Sequence, residues 1–161
     1  MRLRGVGLSV LFAIAAVGSA DAQYAATQDS SLRGLQRVYV NFQNAGAITA
    51  QQQAQAIEFV TLELRKAGVR IVPSAGELDL SKDGLFDIGF IRVNRALSTD
   101  LVLRIDIEQA ATLSRTGASL QMVTWFYEDD RRNIQPDQVL QPMLRQAVDR
   151  FLNAWLSSNG R

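Results

Sequence analysis

The chain contains neither cysteine nor histidine among its 161 residues. Without cysteine no disulfide can form, so packing alone must stabilise the fold. Histidine is the commonest general base, a frequent zinc ligand and the usual activator of a serine nucleophile. The two absences exclude thiolate and histidine chemistry, and they leave only carboxylate, lysine, tyrosine or Ser–Lys mechanisms.

An excess of one charge is also missing. The chain has 17 basic and 16 acidic residues, a net charge of +1. A nucleic-acid binder or a polybasic membrane clamp needs clustered positive charge, which is absent here. Lysine occurs only at Lys66 and Lys82, and neither lies in a recognisable Ser–Lys motif. The composition therefore predicts no nucleic-acid partner and indicates no cofactor.

The first 22 residues have the pattern of a secretory signal peptide. Arg2 and Arg4 precede an apolar run centred on LSVLFAIAAV, and the small residues of SADAQ follow it. The run is shorter than the roughly 20 residues that a membrane-spanning helix needs. We therefore expect residues 1–22 to be removed after Ala22, with no transmembrane segment left and a periplasmic or secreted location.

The rest of the chain is predicted to be one domain. Residues 23–32 are polar and small, which is typical of a flexible leader, and residues 33–159 have the length of a single hydrophobic core. Neither an internal repeat nor a low-complexity tract divides them.

The first half of this domain has the pattern of a βαβ unit. Val38, Val40 and Phe42 alternate with polar residues, as in a half-buried strand. Thr49 and Gln52 form a capping box at the start of a helix, and VRIVP follows as a short second strand. Short loops join these elements, so the two strands are predicted to be parallel.

The second half predicts strands at 86–94, 101–113 and 118–128, then a helix at 136–158 that Pro142 starts or kinks. The segment SRTG is typical of a hairpin between the last two strands. The fold class is α+β: a two-layer sandwich with a mixed, mostly antiparallel sheet of about five strands and two long helices on one face. The order is β-α-β-β-β-β if the third strand splits at Asn94 and β-α-β-β-β otherwise, followed in either case by the C-terminal helix.

The aromatic strand 118–128 is the main candidate for a binding surface. Its alternation predicts that Leu120, Met122 and Phe126 face the core. The open face of the sheet would then hold large side chains of the types enriched at binding hot spots. The predicted partner-binding residues are Arg37, Tyr39, Arg104, Val123, Trp125 and Tyr127. Shielding of the aromatics by arginine stems or by the leader is the alternative.

These features favour a non-enzymatic, exported interaction module that docks an envelope protein or a second copy of itself through the open sheet face. At the level of fold, the βαβ start, hairpin and closing helix resemble small α+β modules of bacterial envelope assembly proteins, although no specific motif identifies a family. The alternative is a small apolar or lipid-like ligand held between the last helix and the sheet, lined by Met143, Phe151 and Trp155.

Two acidic motifs are weaker candidates. Asp106 and Glu108 share one face of a strand, where two carboxylates can act as a general acid and base; a solvated charge ladder is the favoured interpretation. The loop from Asp79 to Asp87 resembles the start of a calcium loop, but Phe90 occupies the twelfth position, where a bidentate carboxylate belongs. We therefore expect no metal site and no catalytic residues.

Overall fold

The computed structural model describes residues 29–44, 46–94, 99–132 and 136–160. The predicted signal peptide and most of the leader lie outside these ranges. The described elements, in chain order, are β1 (Arg37–Asn44), α1 (Ala50–Lys66), β2 (Arg70–Ile71), a 3-10 turn (Ala75–Glu77), β3 (Gly84–Asn94), β4 (Thr99–Thr112), β5 (Ser119–Arg132) and α2 (Pro136–Asn159). This arrangement confirms the α+β fold with a five-stranded sheet and a C-terminal helix.

The strands form one mixed sheet in the order β2-β1-β3-β4-β5. β1 pairs in parallel with both β2 and β3, as the βαβ pattern predicts for β2, and the remaining pairs are antiparallel. One edge is the two-residue β2, and the other is the 14-residue β5. Among the described residues, β5 pairs with β4 alone, so the sheet presents one long edge strand.

Helix α1 begins at the predicted capping box. Thr49 Oγ1 accepts a hydrogen bond from the backbone N–H of Gln52 at 3.2 Å, and the Gln52 side chain accepts from the Thr49 N–H at 2.7 Å. These bonds satisfy two backbone donors that a helix start leaves without a partner. One stripe of α1, formed by Ala56, Val60 and Leu64, is buried against the sheet.

Helix α2 is 24 residues long and contains Pro142 in its interior, on the exposed side. Its buried stripe reaches the centre of the core. Phe151 packs edge to face against Phe86 of β3 at 5.0 Å between ring centroids and against Trp125 of β5 at 5.5 Å. Helix α2 also contacts α1, so the two helices together cover the face of the sheet whose side chains form the core.

The segment before β1 packs on the domain. Leu32 is fully buried, and the Ser31 hydroxyl donates to the Thr124 carbonyl at 2.7 Å. The indole N–H of Trp155 donates to the Leu35 carbonyl at 2.6 Å, which ties this segment to α2. The sequence assigned residues up to Leu32 to a flexible leader; that boundary is wrong, because residues 29–32 belong to the packed domain.

Strand β5 is longer than predicted. The charged segment Asp129–Arg132, which lies beyond the predicted strand 118–128, continues the strand and pairs with Asp100–Leu103 of β4. Asp129 and Arg131 form an ion pair at 3.0 Å along the strand. Because opposite charges at positions i and i+2 pair with each other, a strand end with several charges is tolerated at the margin of the sheet.

Candidate functional site

The end of the β4–β5 hairpin projects beyond the rest of the sheet. The last residue pair between β3 and β4 in this direction is Leu85 with Glu108, whereas β4 and β5 stay paired as far as Thr112 with Ser119. We call the segment Gln109–Met122 the hairpin arm. Gly117 takes a positive φ of 69° in its turn, as predicted for the SRTG connection.

The exposed apolar side chains of the described residues concentrate on the arm and on the adjoining part of β5. Every residue from Thr112 to Val123 is exposed. Among the described residues, five of the seven exposed large hydrophobic side chains lie between positions 113 and 126: Leu113, Leu120, Met122, Val123 and Phe126. Scattered apolar residues on a surface are ordinary, whereas a local concentration of them is a common feature of interaction surfaces.

A β-bulge decides which way the side chains of β5 point. Ile107 pairs with Trp125, but Glu108 pairs with Val123, so Thr124 is an extra residue in β5. The Thr124 hydroxyl donates to the Gln109 side chain at 2.7 Å. Because one extra residue reverses the alternation, side chains before and after Thr124 follow opposite parities.

The predicted faces of the aromatic strand are therefore wrong for three residues, Trp125, Phe126 and Tyr127. Trp125 is 1% exposed and lies in the core, whereas Phe126 is 39% exposed on the open face. Leu120 and Met122 point to the helix side as predicted, yet they are exposed because the arm extends past the helices. Tyr127 also lies on the helix side, half-buried against the core.

The structure places the other predicted partner-binding residues on the open face. Arg37 and Tyr39 lie on β1, Arg104 on β4 and Val123 on β5. Arg104 makes an ion pair with Asp106 at 2.8 Å, and its guanidinium lies 6.0 Å from the centre of the Phe126 ring. Arg104 therefore supports the exposed Phe126 ring from the neighbouring strand.

A carboxylate lies near the middle of this open face. Asp87 is only 6% exposed and accepts hydrogen bonds from the side-chain amides of Asn41, at 2.8 Å, and Gln43. Burial raises the pKa of the Asp87 carboxyl above its ordinary value, the two amide donors lower it, and the charges of Glu108 and Asp106 raise it. The open face thus contains a buried carboxylate near its middle.

Both carboxylates of the predicted acid and base pair interact with neighbouring side chains. Asp106 is held by Arg104, and Glu108 accepts a hydrogen bond from the Gln121 amide at 2.5 Å. Both side chains lie on the open face of the sheet. Their geometry matches the charge ladder that the sequence favours.

In the loop that resembles a calcium site, acidic side chains are paired with basic side chains of the protein itself. Arg37 grips the buried Asp83 with two hydrogen bonds of 2.7 and 2.6 Å, and Lys82 pairs with Asp79 at 2.8 Å. The hydrogen bonds from Arg37 lower the pKa of Asp83. In the described ranges, no three acidic side chains come together in an arrangement suited to a metal ion.

The residues of the alternative ligand pocket are core residues. Met143, Phe151 and Trp155 have no exposed surface. Phe151 makes its two ring contacts with Phe86 and Trp125, and Trp155 donates to a backbone carbonyl. Protein atoms occupy the space that a lipid-like ligand would need, so the ligand-binding alternative stays a prediction without support from this packing.

A shallow groove does lie between α2 and the middle of β5. It has a volume of about 510 Å³ and is lined by Tyr127 and by residues of the exposed side of α2. Arg150, on that side, pairs with Asp29 at 3.3 Å. Of the two described helices, neither has both the length and the apolar composition required to cross a bilayer.

No family model matches the chain, and no curated protein matches it. Among solved structures it is similar to the PelC dodecamer from Paraburkholderia phytofirmans, with 14% identity and a TM-score of 0.43 over 78% of this chain and 90% of that one. A homologue of a neuraminyllactose-binding hemagglutinin from Helicobacter pylori gives 14% and 0.34, over 72% and 79%. A minor lipoprotein from Acinetobacter baumannii gives 11% and 0.28, over 74% and 91%. Nothing about the partners of this chain follows from these values.

Proposed function

We propose that this chain is an exported, non-enzymatic interaction module of the bacterial cell envelope that docks a protein through the hairpin arm and the adjoining open sheet face. The observation that carries the proposal is the concentration of exposed apolar side chains on the arm and the start of β5. The signal pattern of residues 1–22 supports export.

The strand carrying these side chains lacks the protection that edge strands usually have. From Ser119 to Tyr127, β5 contains no charged residue and no proline. Natural edge strands are commonly blunted by lysine, proline or inward-pointing charges, because an open edge pairs with other chains. Among the described residues, the part of this apolar edge before Thr124 is unprotected, which is consistent with a strand that pairs with a protein partner in its working state.

In-cell photocrosslinking tests this function. A photoreactive amino acid replaces Met122 in the arm, and the control replaces Leu62 on α1, because the two side chains are 44% and 49% exposed. We expect discrete crosslinked protein adducts in the envelope from position 122 and none from position 62. Absence of adducts at position 122, or the same adducts at both positions, would refute the proposed function.

A further inference from the structure

We propose that the occupant of the hairpin arm is a second copy of this chain, paired antiparallel along the β5 edge about a two-fold axis at Gln121. This inference deepens the proposed function and rests on it. It specifies which residues of the two β5 strands lie opposite each other, and this register is derived from the backbone hydrogen bonds of the arm.

The outward-pointing groups of the edge can be assigned from two hydrogen bonds. The Leu113 N–H donates to the Ala118 carbonyl at 2.8 Å, so this pair faces inward across the hairpin. The Ala110 N–H donates to the Leu80 carbonyl at 2.9 Å, away from β5, and Ala110 pairs with Gln121. Because inward and outward pairs alternate in an antiparallel ladder, Gln121 points its own N–H and C=O away from β4.

The same alternation turns Ser119 and Val123 outward as well. Beyond Val123 the edge is engaged, since the Ser31 hydroxyl bonds to the Thr124 carbonyl. In the part of the chain that the structure describes, the edge without a pairing strand is therefore the segment Ser119–Val123, and its midpoint is Gln121. When two copies of this segment are placed antiparallel, the three outward-facing residues of one copy lie opposite the three of the other. Their backbone N–H and C=O groups then hydrogen-bond to each other across the two edges.

The side chains fit the same register. On the helix side, Leu120 of one copy lies opposite Met122 of the other, and the symmetric pair repeats this contact, so four exposed apolar side chains become one cluster. On the open side, each Gln121 amide is already bonded to its own Glu108. The segment carries no charge, so a copy placed against itself brings no like charges together.

Self-association is tested first in solution. The purified exported chain is followed by sedimentation velocity from about 2 µM to about 200 µM. We expect a concentration-dependent dimer, and Met122→Asp should raise its dissociation constant about tenfold or more because two carboxylates then lie in the apolar cluster. Leu62→Asp is the matched control and should leave the dimer unchanged. A monomer at every concentration, or a dimer indifferent to Met122→Asp, overturns the inference.

The register is tested by disulfide formation, for which the lack of native cysteine is an advantage. In the proposed pairing the two Gln121 Cα atoms lie about 5.5 Å apart, inside the range for a disulfide, so Gln121→Cys should give an oxidised dimer. The Cα atoms of the two Ser119 residues lie about 14 Å apart, so Ser119→Cys should not. Mixing Ser119→Cys with Val123→Cys should restore crosslinking, and efficient crosslinking of Ser119→Cys alone overturns the register.

The two proposals fail separately. Photocrosslinking from position 122 to a different protein, together with a monomer in sedimentation, would retain the interaction module and reject the second copy as its occupant. Unfolding of the variants cannot be confused with either result, because urea midpoints of Met122→Asp and Leu62→Asp should both stay close to that of the parent chain.

Discussion

Truncation of two neighbouring aromatics on β5 should have very different effects on stability. Trp125 is 1% exposed, contacts the Phe151 ring and donates its indole N–H to Asp29 at 3.2 Å. Replacing a buried Trp with Ala costs about 3 to 5 kcal/mol, since a cavity remains. Phe126 is 39% exposed, so about three fifths of a burial energy of about 1.5 to 3 kcal/mol is lost, which is about 1 to 2 kcal/mol with no cavity.

Urea unfolding of Trp125→Ala and Phe126→Ala measures this difference. With a slope of about 1.5 kcal/mol per molar urea, the midpoint should fall by about 2 to 3 M for Trp125→Ala and by about 1 M for Phe126→Ala. Tyr127→Phe is a control that keeps the ring and removes only a hydroxyl. Equal losses for the two alanine variants, or a larger loss for Phe126→Ala, would refute the assignment of faces by the bulge.

Two further substitutions test the centre of the open face and the start of β3. Asp87→Asn should raise the free energy of unfolding at pH 7. Burial raises the folded-state pKa of the Asp87 carboxyl above 3.8, so the stability contributed by its protonated form is lost as the pH rises through the folded-state pKa. In urea titrations the gain from Asp87→Asn should therefore fade towards about pH 3, and a gain that does not depend on pH would contradict this cause. Gly84→Ala should destabilise the fold by about 1 kcal/mol, because the new Cβ would lie 3.1 Å from Leu35 Cδ1 and 3.2 Å from Ile107 Cγ2. Gly76→Ala is the matched control, since its Cβ would lie 4.0 Å from the nearest atom. Equal losses of stability in the two variants would refute the steric argument.

The fold was predictable because its local signals are strong. The capping box at Thr49, the glycine of the SRTG turn and the alternation in β1 and β4 each predict an element that the structure contains. The pairing order of the sheet was not predictable, because β3 inserts between β1 and β4 through contacts far apart in sequence. Periodicity describes a strand's faces and does not name its neighbours.

The candidate site was predicted only in part, and the reason is a single residue. Alternation was extended across Thr124 as if β5 were regular, which placed Trp125 outside and Phe126 inside. The sequence of a bulge without glycine carries no distinctive signal. The exposure of Leu120 and Met122 was missed for a different reason: two strands longer than their neighbour leave apolar residues beyond the helices, and strand lengths are poorly defined by sequence.

The bulge at Thr124 also divides β5 into two parts in which different factors determine the direction of the side chains. From Trp125 onward, the core fixes the alternation of side chains, because a change of parity there would expose Trp125. Before Thr124, the faces depend on the bulge: if Thr124 paired with Glu108 as in a regular ladder, Leu120 and Met122 would move to the open side while Trp125 stayed in place. One bulged residue therefore selects the surface that is offered to a partner, without any alteration of the hydrophobic core.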